Sequence, residues 1–242
     1  MDRLRSFRIG EGRTGVLLDF DGTLSPIVAR PELARIRDGA RDAIERLVDR
    51  YTVVAVVSGR TNEQLRELVG VEGVRLAGLY GLADVAAPLS DHVLDAVREV
   101  AARVAGARVE AKGGSVAVHY RAADDAVEAR DKLENGLAPI ARRSGLTLLP
   151  GKMVVELVPA DRPLKEGAVE RIVSGERLDA VLYAGDDVAD LRAFEALDRL
   201  AERGVRTVKV AVHGRETPDA LSDAADVVVD GPAGLVTLLR GL

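Results

Sequence analysis

Short aliphatic and β-branched runs alternate along the chain with longer stretches whose apolar residues recur every three or four positions. GVLLDF (15–20), YTVVAVV (51–57) and GVRLAG (73–78) read as strands. The second is apolar without a break, the pattern of a strand covered on both faces. Between them, 39–50 places Ala43, Ile44, Leu47 and Val48 on one helical face. The stretch 61–69 opens with Thr61 and has Gln64 three residues on, a capping-box pattern. Strand, helix, strand, helix, strand predicts an α/β fold: a Rossmann-like, doubly wound parallel sheet.

The rhythm then changes. A helical stretch near 90–105 precedes two strands, ARVEAK and SVAVHYR, split by Gly113-Gly114. A second helix near 124–143 precedes LTLLP and MVVELVP, split by Gly151-Lys152. This αββαββ order predicts an antiparallel α+β unit at 85–160, inserted into a core made of 1–84 and 161–242. After Pro163 the first rhythm resumes. A helix from Lys165 leads to strand DAVLYAG, a helix from Val188, strands RTVKVAV and DVVVD, and a terminal helix. Two linkers to one insertion favour hinged motion.

Composition narrows the function. Hydrophobic residues make up 47% and charged residues 30%, as in ordinary globular proteins. The formal charge of −5 speaks against nucleic acid or anionic membrane as partner. Cysteine is absent, which removes disulfides, thiolate zinc sites and cysteine nucleophiles together. The stretch MDRLRSFRIGEGRTG has no apolar signal-like region, and no run approaches the ~20 residues of a membrane span. A cytoplasmic monomer acting on a small molecule is the expectation.

The sharpest chemical signal is Asp19-Phe20-Asp21-Gly22-Thr23, directly after the first strand. Strand ends in a parallel sheet open onto the ligand crevice. Two carboxylates two residues apart repel unless a cation or shared proton intervenes. Gly22 permits a sharp turn, and Thr23 offers a hydroxyl and an N–H to a phosphate. A calcium loop would need further acidic ligands where Ser25-Pro26 stands. The second strand delivers Ser58-Gly59-Arg60 to a helix start, a setting that suits phosphate. DAVLYAG delivers Asp186 and Asp187, with Asp190 one turn on. Acidic residues also favour a helix start for dipole reasons, a respectable alternative for Asp187 and Asp190. Asp186 is harder to dismiss, because it follows Gly185 where the sheet meets the crevice. Lys165 opens a helix against the dipole, a local cost that hints at another duty.

These four segments, in this order, resemble the haloacid dehalogenase superfamily of phosphohydrolases. The insert resembles that superfamily's larger cap type. LDFDGTLSPI, AVHYR, GKMVVELVP and AGDDVADLRAF are similar to trehalose-6-phosphate phosphatases. There are departures: Ala189 stands where the family usually carries Thr, and Ala83 where many relatives are acidic.

The resemblance implies hydrolysis of a sugar phosphate, most simply trehalose-6-phosphate, through an aspartyl-phosphate. Asp19 would be the nucleophile, an anion at neutral pH, and Asp21 the acid and then base, its proton retained by a water-poor crevice. Mg²⁺ would sit on Asp19, Asp21 (through its carbonyl) and Asp186, with Asp187 and Asp190 behind. Ser58 and Lys165 would hold phosphate oxygens, with Thr23 and Arg60 beside them.

The cap would close over the sugar and read its hydroxyls. Lys112, His119, Arg121, Lys152 and Glu156 are the candidates, and the resemblance supports Lys112 and Glu156 most. Alternate residues of an antiparallel sheet face water in any case. However, three of only five lysines, against 29 arginines, fall at motif positions 112, 152 and 165, and the two cations are not interchangeable in a fitted site. The rivals are a phosphatase for sucrose-6-phosphate or for glucosyl- or mannosyl-phosphoglycerate, a phosphosugar mutase using the same aspartate, and a silent regulatory domain. No GxSxG, HExxH or GxxxxGK[ST] is present, and with only His92, His119 and His213 a histidine-rich metal site is not expected.

Overall fold

The computed structural model describes residues 3–9, 12–28, 30–84, 88–151, 153–160 and 164–242. Strand β1 (Thr14–Leu18) is buried along its whole length, as its apolar run requires. It pairs in parallel with β2 (Val53–Ser58) on one side and β8 (Ala180–Gly185) on the other, Gly15 lying opposite both Val53 and Val181. With β3 (Arg75–Gly78), β9 (Arg206–His213) and β10 (Val227–Asp230), these form a six-stranded sheet. Its order is β10-β9-β8-β1-β2-β3, and every pairing is parallel.

Alternate residues of the central strands enter separate cores. Val16, Leu18, Val54 and Val56 meet α1 (Arg3–Ile9), α2 (Ala40–Arg50), α3 (Asn62–Val69) and α9 (Gly231–Arg240) through Phe7, Ile44, Leu65 and Leu235. Leu17, Val57, Val181 and Tyr183 meet α6 (Lys165–Gly175), α7 (Val188–Glu202) and α8 (Asp219–Ala224) through Val169, Phe194 and Leu221. Burial on both faces is the physical reason these strands carry no polar alternation. This topology fixes the site: the chain runs outward from β1 in both directions, so β8, β1 and β2 bring their C-terminal ends side by side.

The chain divides into two units, residues 1–81 with 163–242, and residues 82–162. The second contains α4 (Asp91–Ala101), β4 (Arg108–Ala111), β5 (Val116–His119), α5 (Ala126–Arg143), β6 (Leu146–Gly151) and β7 (Val154–Pro159). Its antiparallel sheet has the order β4-β5-β7-β6. Val116, Val118, Val155 and Leu157 pack with Val97, Leu133 and Leu137 of the two helices, a core separate from those above. On the strands, Glu110, Ala117, Glu156 and Leu149 are in register across the sheet.

Two helices have no counterpart in the sequence reading. α1 is held by Phe7, 2% exposed and stacked on Tyr51 with centroids 5.6 Å apart, and α8 by the buried Leu221. Helices of seven and six residues are too short to show a 3.6-residue periodicity.

The predicted capping box at α3 forms: the Gln64 N–H donates to Thr61 Oγ1 at 3.2 Å, and the Thr61 N–H to Gln64 Oε1 at 3.0 Å. Thr61→Ala removes one of these bonds just beyond Ser58-Gly59-Arg60. It should cost about 1 kcal/mol, read as a lower urea midpoint at unchanged m-value. An unchanged midpoint would show that the cap contributes nothing.

Candidate active site

Asp19 follows β1 and Asp186 follows β8, each 4% exposed, and the Asp19 N–H bonds to the Ala184 carbonyl at 2.9 Å. Ser58 closes β2 and is 2% exposed. Between Asp19 and α2 the chain turns sharply, with Gly22 at φ +85°. A Cβ at Gly22 would also collide with the Asp186 carboxylate, so both conformation and space demand glycine. The Thr23 hydroxyl, expected to face phosphate, instead donates to Asp186 Oδ1 at 2.9 Å and fixes that carboxylate in place.

Lys165, the first residue of α6, lies at the centre. Its ammonium is 3.1 Å from Asp19 Oδ2, 2.7 Å from Asp190 Oδ1 and 3.4 Å from Asp187 Oδ1. Burial works against its charge, but the surrounding anions, Asp19 foremost, outweigh burial and raise its pKa well above the ordinary lysine value.

Asp190 is fully buried and saturated. Oδ1 accepts from Lys165 and from Tyr183 (2.6 Å), and Oδ2 accepts from the N–H groups of Asp186 and Asp187 (2.9 Å each). Burial opposes its charge, yet Lys165 and these donors hold the carboxyl below its ordinary value. Gly185 leaves the space Asp190 occupies, since a Cβ there would overlap its carboxylate. Asp187 is the N-cap of α7 in a reciprocal box with Asp190, and its Oδ1 accepts from the N–H of Ala189. The helix-start explanation thus accounts for Asp187; for Asp190 it falls short, because Asp190 also orients Lys165 and the Asp186 backbone.

Asp19 and Asp186 are differently placed. Burial pushes the Asp19 carboxyl well above the usual range, with Lys165 opposing. Burial takes Asp186 up to about 7, although its bond from Thr23 acts the other way. Lys165 thus opposes the effect of burial on Asp19, and a second positive charge beside it would further favour the anion expected of a nucleophile.

Asp19, Asp186 and Asp190 each offer an oxygen within 4.8 Å of the others. With Asp190 saturated by four donors, Asp19 and Asp186 are the pair left to face a cation. Hard carboxylate oxygens without nitrogen or sulfur suit a divalent ion such as Mg²⁺, and three buried carboxylates against one buried ammonium leave the charge to be balanced.

Asp21 and Arg60 depart from expectation together. Arg60 Nε and Nη2 each lie 2.7 Å from an Asp21 oxygen, and the guanidinium sits 5.4 Å from the Phe20 ring centre. Arg60, expected on phosphate, here forks the carboxylate expected to be the acid. The Asp21 side chain is 43% exposed, so the water-poor setting foreseen for it is not present in this conformation. Among the described residues, Ser58 Oγ accepts only a long bond, 3.3 Å, from the Arg60 N–H and donates to none.

In the second unit, Lys112 Nζ lies 3.6 Å from Glu156 Oε1, which also accepts from the buried Ser115 hydroxyl at 2.8 Å. His119 Nε2 is 2.7 Å from Glu110 Oε2, and that bond holds the Glu110 carboxyl below its ordinary range. Glu110 was not among the sequence candidates; its place two residues before Lys112 on an alternating strand was the available signal. Arg121 lies beyond β5 and is exposed. Lys152 falls outside the described residues.

The trehalose-phosphatase family profile matches residues 17–227. An uncharacterized glycosyl hydrolase of Mycobacterium tuberculosis is 40% identical over 209 residues, covering 76% of this chain and 15% of its own. The trehalose-phosphate phosphatase of Mycolicibacterium paratuberculosis is 34% identical, covering 90% of this chain and 59% of its own. The chain thus spans less than two thirds of these curated relatives. Among solved structures, the C-terminal domain of Candida albicans trehalose-6-phosphate phosphatase shares the fold at TM-score 0.74 and 22% identity, over 98% of this chain and 94% of that one. The C-terminal domain of a Candida albicans trehalose synthase regulatory protein shares it at 0.69 and 15%, over 99% and 98%. With the profile spanning three strand ends, Lys165 and the whole second unit, the chain belongs to the trehalose-phosphatase family.

Proposed function

We propose that this chain is a Mg²⁺-dependent phosphatase that hydrolyses a sugar phosphate, trehalose-6-phosphate in the first place, through a phosphorylated Asp19. The observation that carries the reading is Asp19 itself: a buried carboxylate at the end of the central strand, 3.1 Å from the Lys165 ammonium, with Ser58 and Asp186 on the neighbouring strand ends. Relatives named as trehalose-phosphate phosphatases support the substrate. The fold alone does not, because it is also found in the C-terminal domain of a Candida albicans trehalose synthase regulatory protein. The intact Asp19, Lys165 and Asp186 favour an enzyme.

In this mechanism Asp19 attacks phosphorus and the bond to the sugar oxygen breaks. Asp21 gives that oxygen a proton, for which it must leave the Arg60 fork. Asp21 then takes a proton from water as the water attacks the phosphoryl-aspartate, and inorganic phosphate and Asp19 are released. Bound Mg²⁺, held by Asp19, Asp186 and the Asp21 carbonyl, would supply the positive charge that phosphoryl transfer requires. Ser58 donates to a phosphoryl oxygen, while Lys165, braced by Asp190, orients Asp19 and adds to the positive charge that favours its anion. Lys112 and Glu156 of the second unit recognise sugar hydroxyls.

Phosphate release with Mg²⁺, measured across trehalose-6-phosphate, sucrose-6-phosphate, glucosyl- and mannosyl-phosphoglycerate and monosaccharide phosphates, tests the assignment. Trehalose-6-phosphate should be turned over best, and a preference for a monosaccharide phosphate would reject it. Asp19→Asn should fold and lose turnover to background; near-normal activity in that variant would end the phosphoryl-aspartate reading. Glu156→Ala should lower kcat/KM for the disaccharide phosphate by on the order of 10²-fold or more, toward the ~10⁴-fold that unpaired polar groups can impose. It should leave a small aryl phosphate nearly untouched. Equal losses on both substrates would place Glu156 in support of the fold.

A further inference from the structure

Immediately after β3 the backbone enters a conformation that ordinary residues avoid. Leu79, Tyr80 and Gly81 lie in succession at φ +51°, +56° and +76°. For the two non-glycine residues this is strained, at a cost of ~1–2 kcal/mol each. Such strain persists where the surroundings over-determine it, and it clusters at functional sites. Here the turn is pinned twice: the Leu79 N–H donates to the Arg60 carbonyl at 2.8 Å, and Arg171 Nη2 donates to the Tyr80 carbonyl at 2.9 Å.

The strained turn aims the Tyr80 side chain into the active site. Its ring centre is 6.0 Å from the Lys165 ammonium. Its hydroxyl lies over the Ser58-Gly59-Arg60 turn, so close that a Cβ on Gly59 would come within 3.1 Å of the oxygen. The hydroxyl has no hydrogen-bond partner among the described residues, in contrast to Tyr183, whose hydroxyl is bound to Asp190. A phenol is protonated at neutral pH and is a donor looking for an acceptor. Arg60, the donor that sequence reasoning put at this place, is occupied with Asp21.

We infer that Tyr80 is a further catalytic residue, its hydroxyl donating to an oxygen of the bound phosphoryl group beside Ser58 and Lys165. The inference rests on the phosphoryl site proposed above. The ring lies over one side of Lys165, and the hydroxyl adds a neutral donor beside Ser58 whether or not Arg60 holds Asp21. The strain at Leu79 and Tyr80 is the cost of directing a long neutral donor at an anion without adding charge to a pocket already crowded with charges.

Tyr80→Phe keeps the ring and the backbone and removes only the donor; Tyr80→Leu removes the ring as well. The probe is inorganic phosphate, titrated calorimetrically in the presence of Mg²⁺, with kcat and KM for the sugar phosphate alongside. Loss of one hydrogen bond to a charged group should weaken phosphate binding in the Phe variant by about 10-fold or more, with the melting temperature unmoved. Tyr80→Leu should lose at least as much. A Phe variant within about twofold of wild type in both phosphate affinity and kcat/KM would overturn the inference and leave Tyr80 a cover for Lys165. Wild-type protein that binds phosphate but hydrolyses no sugar phosphate would sink the phosphatase reading while the Phe comparison still decides this one. Wild-type protein that binds no phosphate would sink both.

Discussion

A buried ammonium facing more carboxylates than it can neutralise governs this molecule. Lys165 touches Asp19, Asp187 and Asp190, and Asp186 lies in the same cluster. Removing several charges from water is costly unless each finds a partner. Asp190 finds four donors; Asp19 and Asp186 do not, and burial drives both toward protonation. The unequal shares divide the labour. Asp190 is a brace whose charge is secured, whereas burial disfavours the anions of Asp19 and Asp186, and further positive charge would favour them. On the proposed reading that charge is Mg²⁺, which would favour the ionised nucleophile.

The fold supplies the arrangement. Neighbouring parallel strands bring chain positions 19, 58 and 186 to one edge through the order β8-β1-β2. Glycine at 22 and 185 lets backbone and carboxylate approach more closely than any side chain would permit. Lys165 enters from a helix rather than a strand, and its cost at a helix start is offset by the anions it meets.

The parts legible in the sequence were those with local signatures. Continuous apolar runs announced β1, β2 and β8, and the residues at their C-terminal ends, Asp19, Ser58 and Asp186, are the ones the proposed mechanism uses. The Thr61 capping box was readable for the same reason, since partners three residues apart declare each other. What remained hidden depended on partners far along the chain. That Arg60 would take Asp21, that Thr23 would serve Asp186, and that Asp190 would bind Lys165 are choices made by packing across 39, 163 and 25 positions. Tyr80 was hidden for another reason: left-handed backbone at Leu79 and Tyr80 has no residue signature, because the structure imposes it against preference. Glu110 was overlooked as one more charge on a strand, although the register places it in line with Glu156.

The most direct test of the charge account is thermal unfolding with and without Mg²⁺, compared between wild type and Asp186→Asn. A cation that completes the cluster binds the folded state alone, and at a hundred times its dissociation constant it adds about 2.7 kcal/mol of stability. Wild type should therefore melt higher as Mg²⁺ is added, and the Asn variant should not. A wild-type melting temperature indifferent to Mg²⁺, or one that rises equally in both proteins, would contradict the claim that Asp19 and Asp186 await a divalent ion.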